Sequence, residues 1–269
     1  MKRTLVALLA CASLLPLAGP PAAAAPSAVP SAAPYTAPAL VPGLPRAALR
    51  TAGATVPLHR EYLPRAEAAQ GAAAVRCSRS TGPYQRQAER YLRRAVDGQQ
   101  SAGDCRAIRR FQQAHRIAPA TGFAGPVTGA MVRLMRARKD PNHAGRCPVR
   151  PERTVCADLD RQVLWVQQGG RVIFDPVAIR SGRPSMETRT GTYRIYLRRR
   201  SHVSNLYHTP MPYAQFFDRG EALHGVYDDL YEGPGSHGCI NLTLPVARAL
   251  WELLRKDDVV HVWGRRPTE

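Results

Sequence analysis

Ten of the 24 prolines fall in the first 60 residues, and from Pro26 to about Arg60 the apolar side chains keep neither a helical nor a strand period. Proline fixes φ and removes a backbone donor, so such a stretch neither ladders into a sheet nor propagates a helix. The packed part of this 269-residue chain must come from the residues beyond 60, which are enough for one large domain or two modest ones. Within that first stretch Lys2 and Arg3 precede a mostly apolar run, Leu5 to Leu17, which leads into Pro20, Pro21 and Ala22 to Ala25. This is the charged, apolar, small-residue order of a secretory signal peptide. The run is shorter than the roughly 20 residues a spanning helix needs, and no later segment is longer and as apolar. Residues 1–24 are therefore expected to be a signal peptide and 25–76 an Ala/Pro-rich, partly polyproline linker. The mature protein is expected to be secreted, extracytoplasmic and not membrane-spanning.

The charge is unevenly placed. Residues 77–150 carry 15 basic and 4 acidic side chains, whereas 151–269 carry 16 and 14. In the basic region Tyr84, Ala88, Tyr91, Leu92 and Ala95 keep helical spacing up to Asp97-Gly98. A second helix fits Asp104 to His115, with Ala107, Ile108 and Phe111 on one face, and Val127, Met131, Leu134 and Met135 predict a third after Gly125-Pro126. Tyr91-Leu92, Val96-Asp97-Gly98, Ala107 to Gln112, Thr121-Gly122 and Gly125 to Thr128 resemble the three-helix peptidoglycan-binding domain of bacterial cell-wall enzymes. Residues 77–140 are expected to form that small all-α bundle. Its arginines suit an anionic polymer. Nucleic acid is set aside as a partner: an exported chain does not ordinarily meet it, and no DNA-reading motif accompanies the charge.

Removing Cys11 with the signal leaves Cys77, Cys105, Cys147, Cys156 and Cys239, an odd number in an oxidising compartment. Pairing Cys77 with Cys105 and Cys147 with Cys156 closes two short local loops and leaves Cys239 over. There is no C-x-x-C pair and the eight histidines are scattered, so no metal site is expected.

From residue 151 the pattern changes. Arg161 to Val166 alternates, Gln167 to Gly170 supplies a turn, and Arg171 to Ile179 returns, which predicts a β-hairpin. Tyr193, Ile195 and Leu197 alternate with Arg194, Tyr196 and Arg198 as a half-exposed strand. Pro245 starts a helix with Val246, Leu250, Leu253 and Leu254 on one face, and Val259 to Trp263 reads as a last strand. These elements predict a β-rich, sandwich-like domain with one helix over 151–264.

Its chemistry gathers in Leu223-His224-Gly225 and in Ser236-His237-Gly238-Cys239-Ile240-Asn241. Free cysteine has a pKa of about 8.5 and needs a base to form thiolate, and a developing oxyanion needs N–H donors. His224, His237 and the backbone around Gly238 offer both. The block closely resembles the signature of the bacterial L,D-transpeptidase catalytic family. Leu159 to Val166, Ser181-Gly182-Arg183-Pro184, Thr188 to Tyr193 and Met211-Pro212-Tyr213 resemble further parts of that family's domain. The gap from His224 to Ser236 is short for the family, which leaves open which histidine reaches the sulfur.

The resemblance implies Cys239 as nucleophile and His224 as general base, oriented by the Gly225 carbonyl. It also implies an oxyanion hole from the backbone of His237, Gly238 and Cys239, with Ser236, His237 and Asn241 holding the loop, and Met211 and Tyr213 on the substrate side. The implied reaction is acyl transfer between peptidoglycan stem peptides through a cysteine thioester, with no cofactor. Peptidoglycan stems and glycan are the implied partners, and carbapenem-type β-lactams the implied covalent inhibitors. An L,D-carboxypeptidase using the same residues and a non-catalytic wall-binding protein are the alternatives.

Overall fold

The structure, a computed structural model, describes residues 59–69, 77–231 and 233–267. The expected signal peptide and most of the expected linker lie outside the described residues. In chain order the elements are β1 (His59–Arg60), α1 (Arg65–Ala69), α2 (Gln85–Tyr91), α3 (Ala102–Ala114), β2 (Ile117–Ala118) and α4 (Pro126–Lys139). Next come β3 (Thr154–Asp158), β4 (Val163–Gln168), β5 (Arg171–Ala178), β6 (Gly191–Arg194), β7 (Leu197–Arg199), β8 (Ala214–Asp218) and β9 (Glu221–Val226). The chain closes with β10 (Ile240–Thr243), α5 (Leu244–Leu253) and β11 (Val259–Trp263).

The segment 59–69, which composition assigns to the linker, is part of the fold. β1 pairs in parallel with β2, and the Glu61 carboxylate accepts the N–H groups of Val127 at 3.1 Å and Thr128 at 2.7 Å. A carboxylate there satisfies orphan donors of α4 and meets the positive end of its dipole. One glutamate and a two-residue strand carry no periodicity, so pattern reading passes over them. α3 begins at Ala102, two residues before the expected Asp104, because Ser101 Oγ accepts the Asp104 N–H at 3.1 Å. α2 ends at Tyr91, short of Asp97-Gly98: Arg93 turns to φ 55° and the Arg94 N–H reaches back to the Glu89 carbonyl.

The nine strands from β3 onward form two sheets, ordered β5-β4-β3-β11-β6 and β10-β9-β8-β7. They face each other across a core in which Val155, Leu164, Val166 and Val262 meet Leu223, Ile240, Leu242 and the Leu250 of α5. At roughly 1.5–3 kcal/mol per fully buried large apolar side chain, this interlayer is the main stabilising term. The hairpin expected over 161–179 is β4–β5, antiparallel, with Gly169 and Gly170 both at positive φ, as a two-residue hairpin turn requires.

Alternation on the five-stranded sheet continues through its outer face. Val163, Trp165 and Trp263 point away from the interlayer and pack with Val127, Met131 and Leu134 of α4. Every residue of β3 is consequently buried. Two disulfides, Cys77–Cys105 and Cys147–Cys156, fasten the helical region and its connection to β3, and Cys239 is free.

The single strand expected over 193–198 is two strands in different sheets. Tyr193 and Arg194 belong to β6, and Leu197 begins β7. Between them the Ile195 N–H bonds the Asp258 carbonyl, the Tyr196 N–H bonds that of Phe216, and Ile195 is fully buried. The alternation in the sequence is real, but the chain changes sheets at Ile195 without breaking it.

Candidate active site

β9 and β10 are parallel neighbours in a register that sets Ile240 opposite Leu223 and Asn241 opposite His224. Strand alternation sends Leu223, Ile240 and Leu242 into the interlayer core. It turns Ala222, His224 and Asn241 to the other face, together with Cys239, one residue before β10. Phe216, opposite Ala222 on β8, joins them, and Cys239 packs against Met211, Ala214, Phe216 and Ala222. Two motifs separated in sequence are thus brought side by side by one parallel pairing.

His224 is buried and held at both nitrogens: Nδ1 lies 2.8 Å from the Gly225 carbonyl oxygen and Nε2 lies 2.9 Å from Asn241 Nδ2. The other end of that amide, Oδ1, accepts from Arg180 Nε at 3.1 Å. The Asn241 NH2 therefore faces the ring, and the imidazole donates from Nδ1 to Gly225 while Nε2 carries the lone pair. Burial pushes His224 down to about 4, the Gly225 carbonyl opposing and the Arg180 charge assisting.

Cys239 Sγ accepts the Ala222 N–H and lies 3.9 Å from the Gly220 carbonyl oxygen. Burial pushes its thiol up to about 11, with the Glu221 carboxylate adding to the shift and the Ala222 donor opposing it. At neutral pH Cys239 rests as a thiol and His224 as a neutral imidazole.

Ser236 ties the turn before the nucleophile. Its Oγ donates to the Cys239 carbonyl at 2.5 Å and accepts the Gly238 N–H at 3.1 Å. Gly238 sits at φ 115°, and a Cβ there would come 2.9 Å from Glu221 Oε1. Arg183 and Ser181 exchange backbone bonds with Ser236, so the segment Ser181 to Arg183 braces the turn.

Of the residues singled out in the sequence, Cys239, His224, Gly225, Asn241, Ser236, Gly238 and Met211 converge here. Two do not. His237 is exposed, its ring stacked on Tyr207 with centroids 3.9 Å apart. Tyr213 packs toward Trp251 of α5 and the interlayer core, under the Arg200 guanidinium.

Sequence reading passes over Glu221 and Arg180. Glu221 receives the Arg189 N–H at 3.2 Å and the Arg189 Nη1 at 3.2 Å, and burial pushes its carboxyl up to about 7. In the sequence it reads as one more charge in the turn Asp218-Arg219-Gly220. Arg180 comes just after β5, immediately before the Ser181-Gly182-Arg183-Pro184 segment, and is not part of it. A cleft of about 750 Å³ is lined by Glu187, Arg189, Asp218, Arg219 and Arg265; Cys239 is not among its walls, but Arg189, the partner of Glu221, is. Among the described residues no cluster of three or more His, Cys, Asp or Glu is placed to hold a metal ion.

The sequence model of one family, described as the L,D-transpeptidase catalytic domain (YkuD), matches residues 152–262. Among solved structures, the L,D-transpeptidase (Yku) from Stackebrandtia nassauensis is 35% identical, covering 71% of this chain and 95% of that one with a TM-score of 0.53. The L,D-transpeptidase from Xylanimonas cellulosilytica is 24% identical, covering 70% and 96% with a TM-score of 0.40. The L,D-transpeptidase LdtMt1 in complex with imipenem is 20% identical, covering 42% and 59% with a TM-score of 0.39. A search of curated proteins found no match.

Proposed function

This chain belongs to the L,D-transpeptidase catalytic family, and from that premise we propose that it is an exported enzyme that cross-links peptidoglycan stem peptides through a thioester on Cys239. The observation that carries the proposal is the free thiol of Cys239 on the same face of β9 and β10 as His224 and Asn241, with the other four described cysteines in disulfides.

The chemistry is set by the resting charges. A neutral thiol on the same sheet face as a neutral imidazole is a poor nucleophile until a carbonyl carbon reaches the sulfur. As the S–C bond forms, the thiol proton moves to His224 Nε2, which gives up its bond to the Asn241 NH2. The Gly225 carbonyl, already bonded to Nδ1–H, stabilises the imidazolium that results. His224 then returns the proton to the departing amine of the terminal D-residue as the C–N bond breaks, leaving a thioester. An acceptor amine from a second stem attacks that thioester, loses its proton to Nε2, and the thiol leaves with it. Each half needs one proton acceptor and one donor, and the same nitrogen serves as both. With the Gly238 N–H engaged by Ser236, the oxyanion falls to the N–H groups of His237 and Cys239.

Around this centre, residues 1–24 act as an export signal and the basic helical region as an anchor on wall glycan, which raises the local concentration of an immobile substrate. The strained amide of a carbapenem offers the sulfur the same kind of electrophile, so carbapenems are expected to acylate Cys239. The test is purified protein incubated with a donor tetrapeptide stem and an acceptor stem, then mass spectrometry. Cross-linked dimers and release of the terminal D-residue are expected. Shortened peptides without dimers would make it a carboxypeptidase, and neither product from a folded protein would remove the enzyme reading.

A further inference from the structure

For Nε2 of His224 to act as the base, two things must hold: the ring proton stays on Nδ1, and the lone pair on Nε2 is not replaced by a second N–H. The Gly225 carbonyl secures the first. The second depends on Asn241, whose carboxamide could turn end for end in the same space and present Oδ1 to the ring. An acceptor facing Nε2 would favour a proton there, and the imidazole would become an imidazolium with both nitrogens donating.

What opposes that turn is Arg180. Its Nε–H donates to Asn241 Oδ1 at 3.1 Å, and a reversed amide would set NH2 against N–H in a buried site. Arg180 is itself fixed on several sides. Its backbone exchanges two hydrogen bonds with that of Asn241, at 3.1 and 2.9 Å, in an isolated bridge. Its Nη1 pairs with Asp228 Oδ2 at 2.8 Å and donates to the Asp229 carbonyl at 3.0 Å. We propose that Arg180 is a positioning residue for the base: anchored by Asp228, its guanidinium holds the Asn241 amide with NH2 toward His224, and so keeps the lone pair of the imidazole on Nε2.

The charged groups acting on the ring agree with that assignment. Arg180 and His202 favour the neutral imidazole, and Asp228 favours the cation. Glu221, from the start of β9, acts on Cys239. Removing Arg180 therefore works in one direction twice: it frees the amide to turn, and it withdraws a positive charge. The role rests on the transpeptidase reading for its purpose but not for its measurement.

The experiment is a pH titration, by nitrogen-15 NMR, of the full chain labelled in the histidine rings, comparing wild type with Arg180→Gln and Arg180→Lys. In wild type, His224 is expected to show a protonated Nδ1 and a bare Nε2 from pH 7.5 down to pH 5. In Arg180→Gln, half-protonation is expected at least one pH unit higher, a tenfold or greater gain in proton affinity. Lysine keeps the charge but lacks the fork that reaches Asp228 and Asn241 together, so Arg180→Lys is expected to shift in the same direction by less. Its kcat is expected to fall more at pH 6 than at pH 8 with KM unchanged. An unchanged His224 titration in folded Arg180→Gln overturns the proposal. If that variant does not fold, an unchanged titration in Arg180→Lys overturns it instead. Because the titration is read without turnover, an inactive wild-type protein would sink the transpeptidase reading and leave this result standing, and the converse holds equally.

Discussion

The Glu221 carboxylate lies against Gly238, close enough that a single added Cβ on that glycine would sit 2.9 Å from Oε1. The turn carrying the nucleophile is thus pinned between a buried acid and the backbone of the Ser181 to Arg183 segment. Gly238→Ala meets both that contact and a φ of 115° that side chains resist. It is expected to destabilise the fold by about 1–3 kcal/mol and to slow acylation of Cys239 by roughly tenfold or more. A thermal melt and a single-turnover mass assay check this, and an alanine variant acylating at the wild-type rate would contradict it.

The same carboxylate predicts a pH effect on stability. Folding raises Glu221 from its ordinary value to about 7, so the folded state binds this proton more tightly than the unfolded chain. Its contribution is largest below the unfolded carboxyl pKa and is lost as pH climbs toward 7. His224, lowered to about 4, works the other way, and its contribution is regained as pH rises from 4 toward the ordinary histidine value. Urea midpoints of Glu221→Gln between pH 4.5 and 7 are expected to rise with pH more steeply than those of wild type. Parallel curves would mean that Glu221 titrates normally.

Cys239 itself is expected to be slow toward iodoacetamide at neutral pH in the free protein, with the rate rising toward an apparent pKa of about 11. Glu221→Gln removes a negative charge that opposes the thiolate, and should move that curve downward. An apparent pKa below 8 in wild type would show a preformed thiolate–imidazolium pair and rule out proton transfer during attack.

The helical region and the sheet share apolar surface. Trp165, Trp263 and Val163 are covered by Val127, Met131 and Leu134 of α4. A chain beginning at residue 146 leaves those side chains in water and breaks no bond of the Cys239 site. It is expected to express as aggregated or markedly destabilised protein, measured by size exclusion and melting. A monomer with the wild-type midpoint would show that this contact contributes little.

What the sequence discloses divides along a physical line. Contiguous signals are legible: the glycine pair of the β4–β5 hairpin, the apolar face of α5, and the block around Cys239 whose residue types suit one chemistry. Groups delivered by topology are not. Arg180 reaches Asn241 only through an isolated bridge across 61 residues, and Glu221 meets Gly238 only because β9 and β10 run in parallel. The resemblance implies Tyr213 on the substrate side, whereas its ring packs toward Trp251, with centroids 6.2 Å apart. The change of sheet at Ile195 leaves the alternation intact, so the pattern holds no trace of it.

In the proposed reaction the sulfur of Cys239 carries the acyl group. Intact-mass analysis of the purified chain with a donor tetrapeptide stem and no acceptor, and then peptide mapping, reads it directly. We predict one acyl adduct, confined to the peptide containing Cys239, labile to hydroxylamine and missing from Cys239→Ala. An adduct of the same mass on the Cys239→Ala protein, or on any other residue, would contradict it.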